Sequence, residues 1–188
     1  MAERFRLPAD TAVLFTGVPN TVTLPLVQTK AGGVAHLRIG QHFLDLYAQP
    51  ASSVVYLPAL GILCGGDFGS DVILPAVATG STGEAELGTL RLLAQLVKQR
   101  RFQFYIPRSG ALSGNGVAIM ERLAADVAYL HGLRRVVLPL AQSGAAFSQI
   151  EAVADSLLPI TRRNAACREQ NFRNLRNLYE SVQPTWKN

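Results

Sequence analysis

The sequence predicts a single α+β domain, and three observations predict it. Runs of β-branched and aromatic residues crowd the first third of the chain. A leucine-striped helix with a capping signal follows them. Beyond it, one short strand precedes a series of further helical patterns.

Taken in order, Thr11–Phe15 and Thr21–Gln28 read as strands separated by a turn at Gly17-Val18-Pro19-Asn20. Gly32-Gly33 opens a pair, Val34–Ile39 and His42–Tyr47, turning at Gly40-Gln41. In its second arm Phe43, Asp45 and Tyr47 alternate with Leu44 and Leu46, which predicts two unlike faces. Ser52–Leu57 and Gly61–Cys64 follow, joined by Pro58-Ala59-Leu60. Their continuous Val54-Val55-Tyr56-Leu57 run marks a strand covered on both sides.

Ser81-Thr82-Gly83-Glu84 has capping-box spacing and opens a helix to about Arg101, striped by Leu87, Leu90, Leu93 (or Ala94) and Val97. Its basic tail, Lys98 to Arg101, suits the negative end of the helix dipole. Phe102–Ile106 is a strand stopped at Pro107. After the glycine-rich loop Ser109–Gly116, a second helix carries Ile119, Leu123, Val127 and Leu130, with Gly132 placed to end it near His131. Val136–Leu140 is ambiguous between strand and helix start. Ala145–Leu157 and Ala165–Val182 complete the helices, the last striped by Phe172, Leu175, Tyr179 and Val182.

The 188 residues suit one domain, and 48% hydrophobic against 16% charged residues with mean hydropathy +0.18 describe a globular chain. Cys64 and Cys167 match no metal-ligand spacing and read as free thiols of a reducing compartment. No apolar run reaches signal-peptide or membrane-span length, so a cytoplasmic location and no membrane contact are expected. The net charge of +5 is concentrated beyond Thr161, where six basic residues face Glu169 and Glu180. Such a tail reads as a solvated helix face in preference to a nucleic-acid surface.

Several pieces now stand in one order. The pair Val34–Tyr47 is followed by Pro50-Ala51-Ser52-Ser53-Val54-Val55-Tyr56-Leu57-Pro58 and then by Gly61-Ile62-Leu63-Cys64-Gly65-Gly66-Asp67. After the leucine-rich helix comes Tyr105-Ile106-Pro107-Arg108-Ser109-Gly110, and Asn174 to Glu180 closes the pattern. From about Gly32 to Val182 this resembles the C-terminal portion of metallo-β-lactamase-superfamily hydrolases. The resemblance implies an αββα layered fold, truncated at the N-terminus and occupying residues 1–188 as one domain. It also implies metal ligands at three turns, since neutral imidazoles and a carboxylate hold zinc while leaving a site open for activated water.

Carried over position by position, only Asp67 survives as a ligand, at the glycine-aspartate turn. The ligand position before Pro50 falls on Ala48 or Gln49, and the one after Pro107 falls on Ser109, with Arg108 where the family has glycine. The family's histidine-x-histidine-x-aspartate-histidine cluster has no counterpart in the sequence. A residual cleft would be lined by Arg108, Ser109 and Ser52. The three histidines lie elsewhere: His36 and His42 flank the hairpin turn, and His131 sits at an expected helix C-terminus. Ser109 has no evident histidine partner for nucleophilic catalysis. The Ser109–Gly116 loop lacks the Lys-Ser/Thr of a phosphate cradle.

The resemblance therefore implies a catalytically degenerate member with a structural or interaction role and no cofactor. A lone half would bare one sheet face, to be covered by the N-terminal strands, by a second copy in a homodimer, or by another protein. Two alternatives stand beside it. One is a subunit of a split hydrolase whose partner supplies the histidines, so that zinc or another divalent metal is held with Asp67. The other is a small-molecule or nucleic-acid binder using the old cleft and the Arg-rich tail.

Overall fold

The computed structural model describes residues 32–182. The strands expected at Thr11–Phe15 and Thr21–Gln28 lie outside the described residues. Within them, β1 (Val34–Ile39), β2 (His42–Ala48), β3 (Ser53–Leu57), β4 (Ile62–Gly66) and β5 (Phe104–Pro107) form one sheet in that order. The first three pairings are antiparallel and β4–β5 is parallel. A parallel pair needs a long crossover, and α1 (Glu84–Gln99) provides it. These directions gather the ends of β2, β4 and β5 and the start of β3 at one end of the sheet.

Side chains alternate between the faces of a strand, so the register sorts the residues. Tyr47, Val54, Tyr56, Leu63 and Tyr105 share one face and enter the single apolar core. There they meet Leu87, Leu90 and Leu93 of α1 and Ile119, Leu123, Leu130 and Leu133 of α2 (Gly116–Gln142). Cys167, Leu175 and Leu178 of α4 (Ala165–Val182) complete it. The opposite face carries Leu37, Leu46, Val55, Leu57, Ile62, Cys64 and Ile106, none of which belongs to that core. The Val54–Leu57 run is thus one face in the helix-covered core and one face turned away from it.

The helices differ from expectation in four places. The Ser81/Glu84 capping box does not form: Gly83, with φ 82°, is the N-cap and contributes no side chain. Ser81 instead donates to Glu86 Oε2 at 2.6 Å, while Glu86 Oε1 accepts from the Ala78 amide at 2.9 Å. Glu84 reaches outward to Arg91 and Arg134.

Gly132 does not end α2, which continues to Gln142 and absorbs Val136–Leu140 and Pro139. The apolar stripe explains this, because Leu133, Val137 and Ala141 prolong the buried line of Leu130 past the glycine. His131 is consequently exposed in mid-helix, remote from the negative end of the dipole. The span Ala145–Leu157 is broken into α3 (Phe147–Glu151) and a 3-10 turn, Ala154–Leu157.

The stripe of α4 is rotated from the expected one. Asn171 and Asn174 are buried with Leu175, while Phe172 stays exposed. The reason lies in the irregular segment between β4 and α1, whose backbone groups need partners once covered. Asn174 accepts from the Val77 amide at 2.8 Å and donates to the Pro75 carbonyl at 2.8 Å, and Asn177 donates to the Val77 carbonyl at 2.7 Å.

Candidate functional site

The residues singled out in the sequence meet at the shared end of the sheet. Gly66 ends β4 with φ 60°, a conformation that favours glycine, and a Cβ there would stand 2.6 Å from Ser52 Oγ. The Arg108 amide donates to the Gly66 carbonyl at 2.7 Å, which joins the β5 turn to the β4 turn. Ala48 ends β2 beside them, paired with Ser53. Ser52, Asp67, Arg108 and Ser109 are therefore brought together, with Ala48 and Gln49 at the same sheet end.

Asp67 is not left open. Arg108 Nη1 donates to its Oδ1 at 2.9 Å, with the arginine side chain 55% exposed and the aspartate 28%. Ser109 contributes its backbone: its carbonyl accepts from the buried Ser70 hydroxyl at 2.8 Å. That same Ser70 oxygen accepts from the amides of Val72 and Ile73, both at 3.1 Å. Asp71 Oδ1 accepts from the Ala111 amide at 2.9 Å, and Arg122 donates to the Ala111 carbonyl at 2.8 Å. The Ser109–Gly116 loop is thereby tied down, and Asn115 caps α2 by accepting from Val117 and Ala118.

Beneath these turns lies an ion pair that sequence reading missed. Arg162 Nη1 donates to Asp126 Oδ1 at 2.6 Å, and the two side chains are 3% and 0% exposed. Asp126 Oδ2 accepts from the Gly69 amide at 2.7 Å, and Arg162 also donates to the Ile73 carbonyl at 2.9 Å. Burial pushes the Asp126 carboxyl above its ordinary value, against the lowering effect of Arg162 and the Gly69 amide. An aspartate at position 126 falls on the apolar stripe of α2 and gives no local signal of its distant partner.

Gly65 and Gly69 have a packing duty. The Tyr105 ring lies against both: a Cβ on Gly69 would be 2.6 Å from the phenol oxygen, and one on Gly65 would collide with it. Tyr105 donates to the Phe68 carbonyl at 2.8 Å, and burial raises its phenol above the usual range.

The remaining candidates lie apart. His36 and His42 occupy opposite faces of the hairpin, because His36 pairs with Asp45 and His42 with Ile39. His36 Nδ1 lies 2.7 Å from Asp45 Oδ1. A shallow groove of 460 Å³ along α2, lined by His131, Arg134, Arg135, Leu138, Pro139 and Gln142, includes none of the turn residues. Much of the basic charge after Thr161 is engaged within the chain. Arg162 is buried, Arg168 and Arg173 pair with Asp155 and Glu169, and Arg176 stacks on Phe147 and Phe172.

The donor set at the sheet end does not fit a divalent metal. One carboxylate, already paired with a guanidinium, stands with an alanine, an amide and a hydroxyl; zinc prefers imidazole, thiolate and carboxylate. Among the described residues no three His, Cys, Asp or Glu side chains converge.

This mixed sheet with helices on one face has the architecture of metallo-β-lactamase-type hydrolases. Among solved structures, the chain is similar to the stereoselective inverting sec-alkylsulfatase Pisa1 from Pseudomonas sp., at 20% identity and TM-score 0.65 over 89% of this chain. A double mutant of the sec-alkyl sulfatase PisA1 aligns at 16% identity and TM-score 0.60 over the same share. The chain spans 28% of the length of each of these enzymes. No family model and no curated protein matches it.

Proposed function

We propose that this chain is a catalytically degenerate member of the metallo-β-lactamase fold, serving a structural or interaction role without a metal cofactor. The carrying observation is the Arg108–Asp67 pair at 2.9 Å. A bridging carboxylate in a metal centre shares its charge between cations. Here a guanidinium supplied by the next turn takes that part, and the other two former ligand positions offer no imidazole. Around the pair, Ser70, Asp71 and Arg122 spend their hydrogen bonds on the backbone of neighbouring turns, so this end of the sheet works as a junction between loops.

Metal analysis of protein purified without chelators tests the reading. Well under one metal ion per chain is expected, and stoichiometric zinc, iron or manganese would overturn it.

A second reading is favoured by one observation. Asp67 is partly exposed at the end of the sheet, and the chain matches only a part of the alkylsulfatases it resembles. In that reading a partner brings the histidine-rich half of a hydrolase, and Arg108 swings off Asp67 on assembly. Asp67→Ala would then abolish metal retention by the assembled complex; unchanged metal content ends this alternative.

A further inference from the structure

The groove along α2 belongs to a stretch without carboxylates. From Val127 to Ile150 the sequence holds no Asp or Glu, yet it carries His131, Arg134 and Arg135. These three stand at positions i, i+3 and i+4, on one turn and one face of the helix. A solvated helix face commonly sets an acid three or four places from each cation, and none of those places holds one here. Nor does the helix dipole call for them, because α2 runs on to Gln142 and its last turn has no basic residue.

The donors of this turn are largely unanswered within the chain. Among the described residues, His131 and Arg135 are exposed and make no hydrogen bond or ion pair. Arg134 pairs with Glu84 at 2.8 Å, but Glu84 is shared with Arg91 at 3.2 Å, and Arg134 Nε is buried without a partner.

Further along the same face the groove turns apolar at Leu138 and Pro139 and ends at Gln142. With a rise of about 1.5 Å per residue, Gln142 stands about 10 Å along the axis from Arg135, which leaves room for an aromatic ring between them. The volume of 460 Å³ is that of a small-molecule site. A phosphate monoester brings three acceptor oxygens and about −1.5 to −2 charge, a better match to three donor side chains than a carboxylate with its two oxygens. We propose that this groove binds a phosphate monoester with an apolar body. The turn of His131, Arg134 and Arg135 takes the phosphate, and Leu138 and Pro139 take the body.

Amide NMR titration of the isotope-labelled full-length chain tests this, with phenyl phosphate as the probe and inorganic phosphate and benzoate as comparisons. Saturable shifts centred on the amides of residues 131–142 are expected with phenyl phosphate, and weaker binding with the other two. Arg135→Ala and His131→Ala should each weaken phenyl phosphate by about tenfold, the loss of one charge-assisted hydrogen bond. Both side chains are exposed, so the rest of the spectrum should stay as in wild type. Arg163→Ala removes an exposed charge before α4 and should leave the affinity unchanged. No saturable shift, or shifts centred elsewhere, would overturn the proposal. Equal weakening by Arg163→Ala would reduce the effect to net charge and overturn it too. Inorganic phosphate binding as tightly would remove the apolar body, and benzoate binding as tightly would remove the phosphate. The groove holds no residue of the sheet-end turns, so its failure is distinct from failure of the degenerate-site reading.

Discussion

Arg108 reaches from the turn after β5 to the Asp67 carboxylate in the turn after β4, 2.9 Å away, and so ties the two turns by an ion pair. Both groups are partly solvated, so the pair is a weak brace, and Arg108→Ala should change stability by no more than about 1 kcal/mol. Urea denaturation of the variant measures it. A larger loss would mean that the guanidinium holds the turns together.

Under the proposed degenerate-site reading, supplying imidazoles at the turns should create metal binding. The triple variant Gln49→His, Arg108→Gly, Ser109→His offers two imidazoles and the freed Asp67 at one end of the sheet. Isothermal titration with zinc is expected to show binding to this variant and none to Arg108→Gly alone. Equal behaviour of the two would show that the three turns do not converge closely enough to share an ion.

The buried pair behaves differently from the exposed one. Asp126→Ala leaves Arg162 charged and uncompensated at 3% exposure, a situation that costs about 3–5 kcal/mol. Adding Arg162→Met should recover much of that loss, because an apolar side chain needs no counter-charge. Chemical denaturation of the single and double variants decides it; equal losses would place the role of Arg162 in its bonds to Ser70 and Ile73 instead.

Asp126 also predicts a pH dependence. Its carboxyl is raised in the folded chain by burial, so the native state holds the proton more tightly than the unfolded state does. The resulting contribution is fully present below the unfolded value and is lost as pH rises through the raised native one. Stability measured as pH rises above the ordinary aspartate range should carry this falling component, and Asp126→Asn should remove it. A variant with the same slope as wild type would assign the dependence to other groups.

Asn174 answers two backbone groups of the segment before α1. Asn174→Leu would restore an apolar helix stripe yet orphan the Val77 amide and the Pro75 carbonyl, at about 1–3 kcal/mol for each. A net loss of stability with faster amide exchange at Val77 is expected. A stabilised variant would show that the stripe matters more than the loop.

Gly65→Ala should destabilise by about 1–3 kcal/mol or more, since the methyl enters space held by the Tyr105 ring. A thermal melt reads the effect. An unchanged midpoint would mean that the ring moves aside at no cost.

Much of the architecture was legible in the residues themselves. Alternation along His42–Tyr47, the continuous Val54–Leu57 run and the leucines of α1 each report local periodicity, and the structure builds β2, β3 and α1 on them. The order of short motifs points to the fold, and Asp67, Arg108, Ser109 and Ser52 stand in the sequence at turns that the structure brings to one end of the sheet. What failed were decisions that depend on distant partners. Gly132 stays helical because Leu133, Val137 and Ala141 meet a core built from other elements. Ser81 chose Glu86 over the helix end, and Asp126, Asn171 and Asn174 are buried because loop backbone and Arg162 come to them. Local sequence thus determined that β1 to β4 are strands and that α1 is a helix with an apolar leucine face, but not which face of α4 is buried. Tertiary structure alone decided that Arg108 meets Asp67, because a contact between side chains 41 positions apart exists only once four strand ends have been brought to one edge.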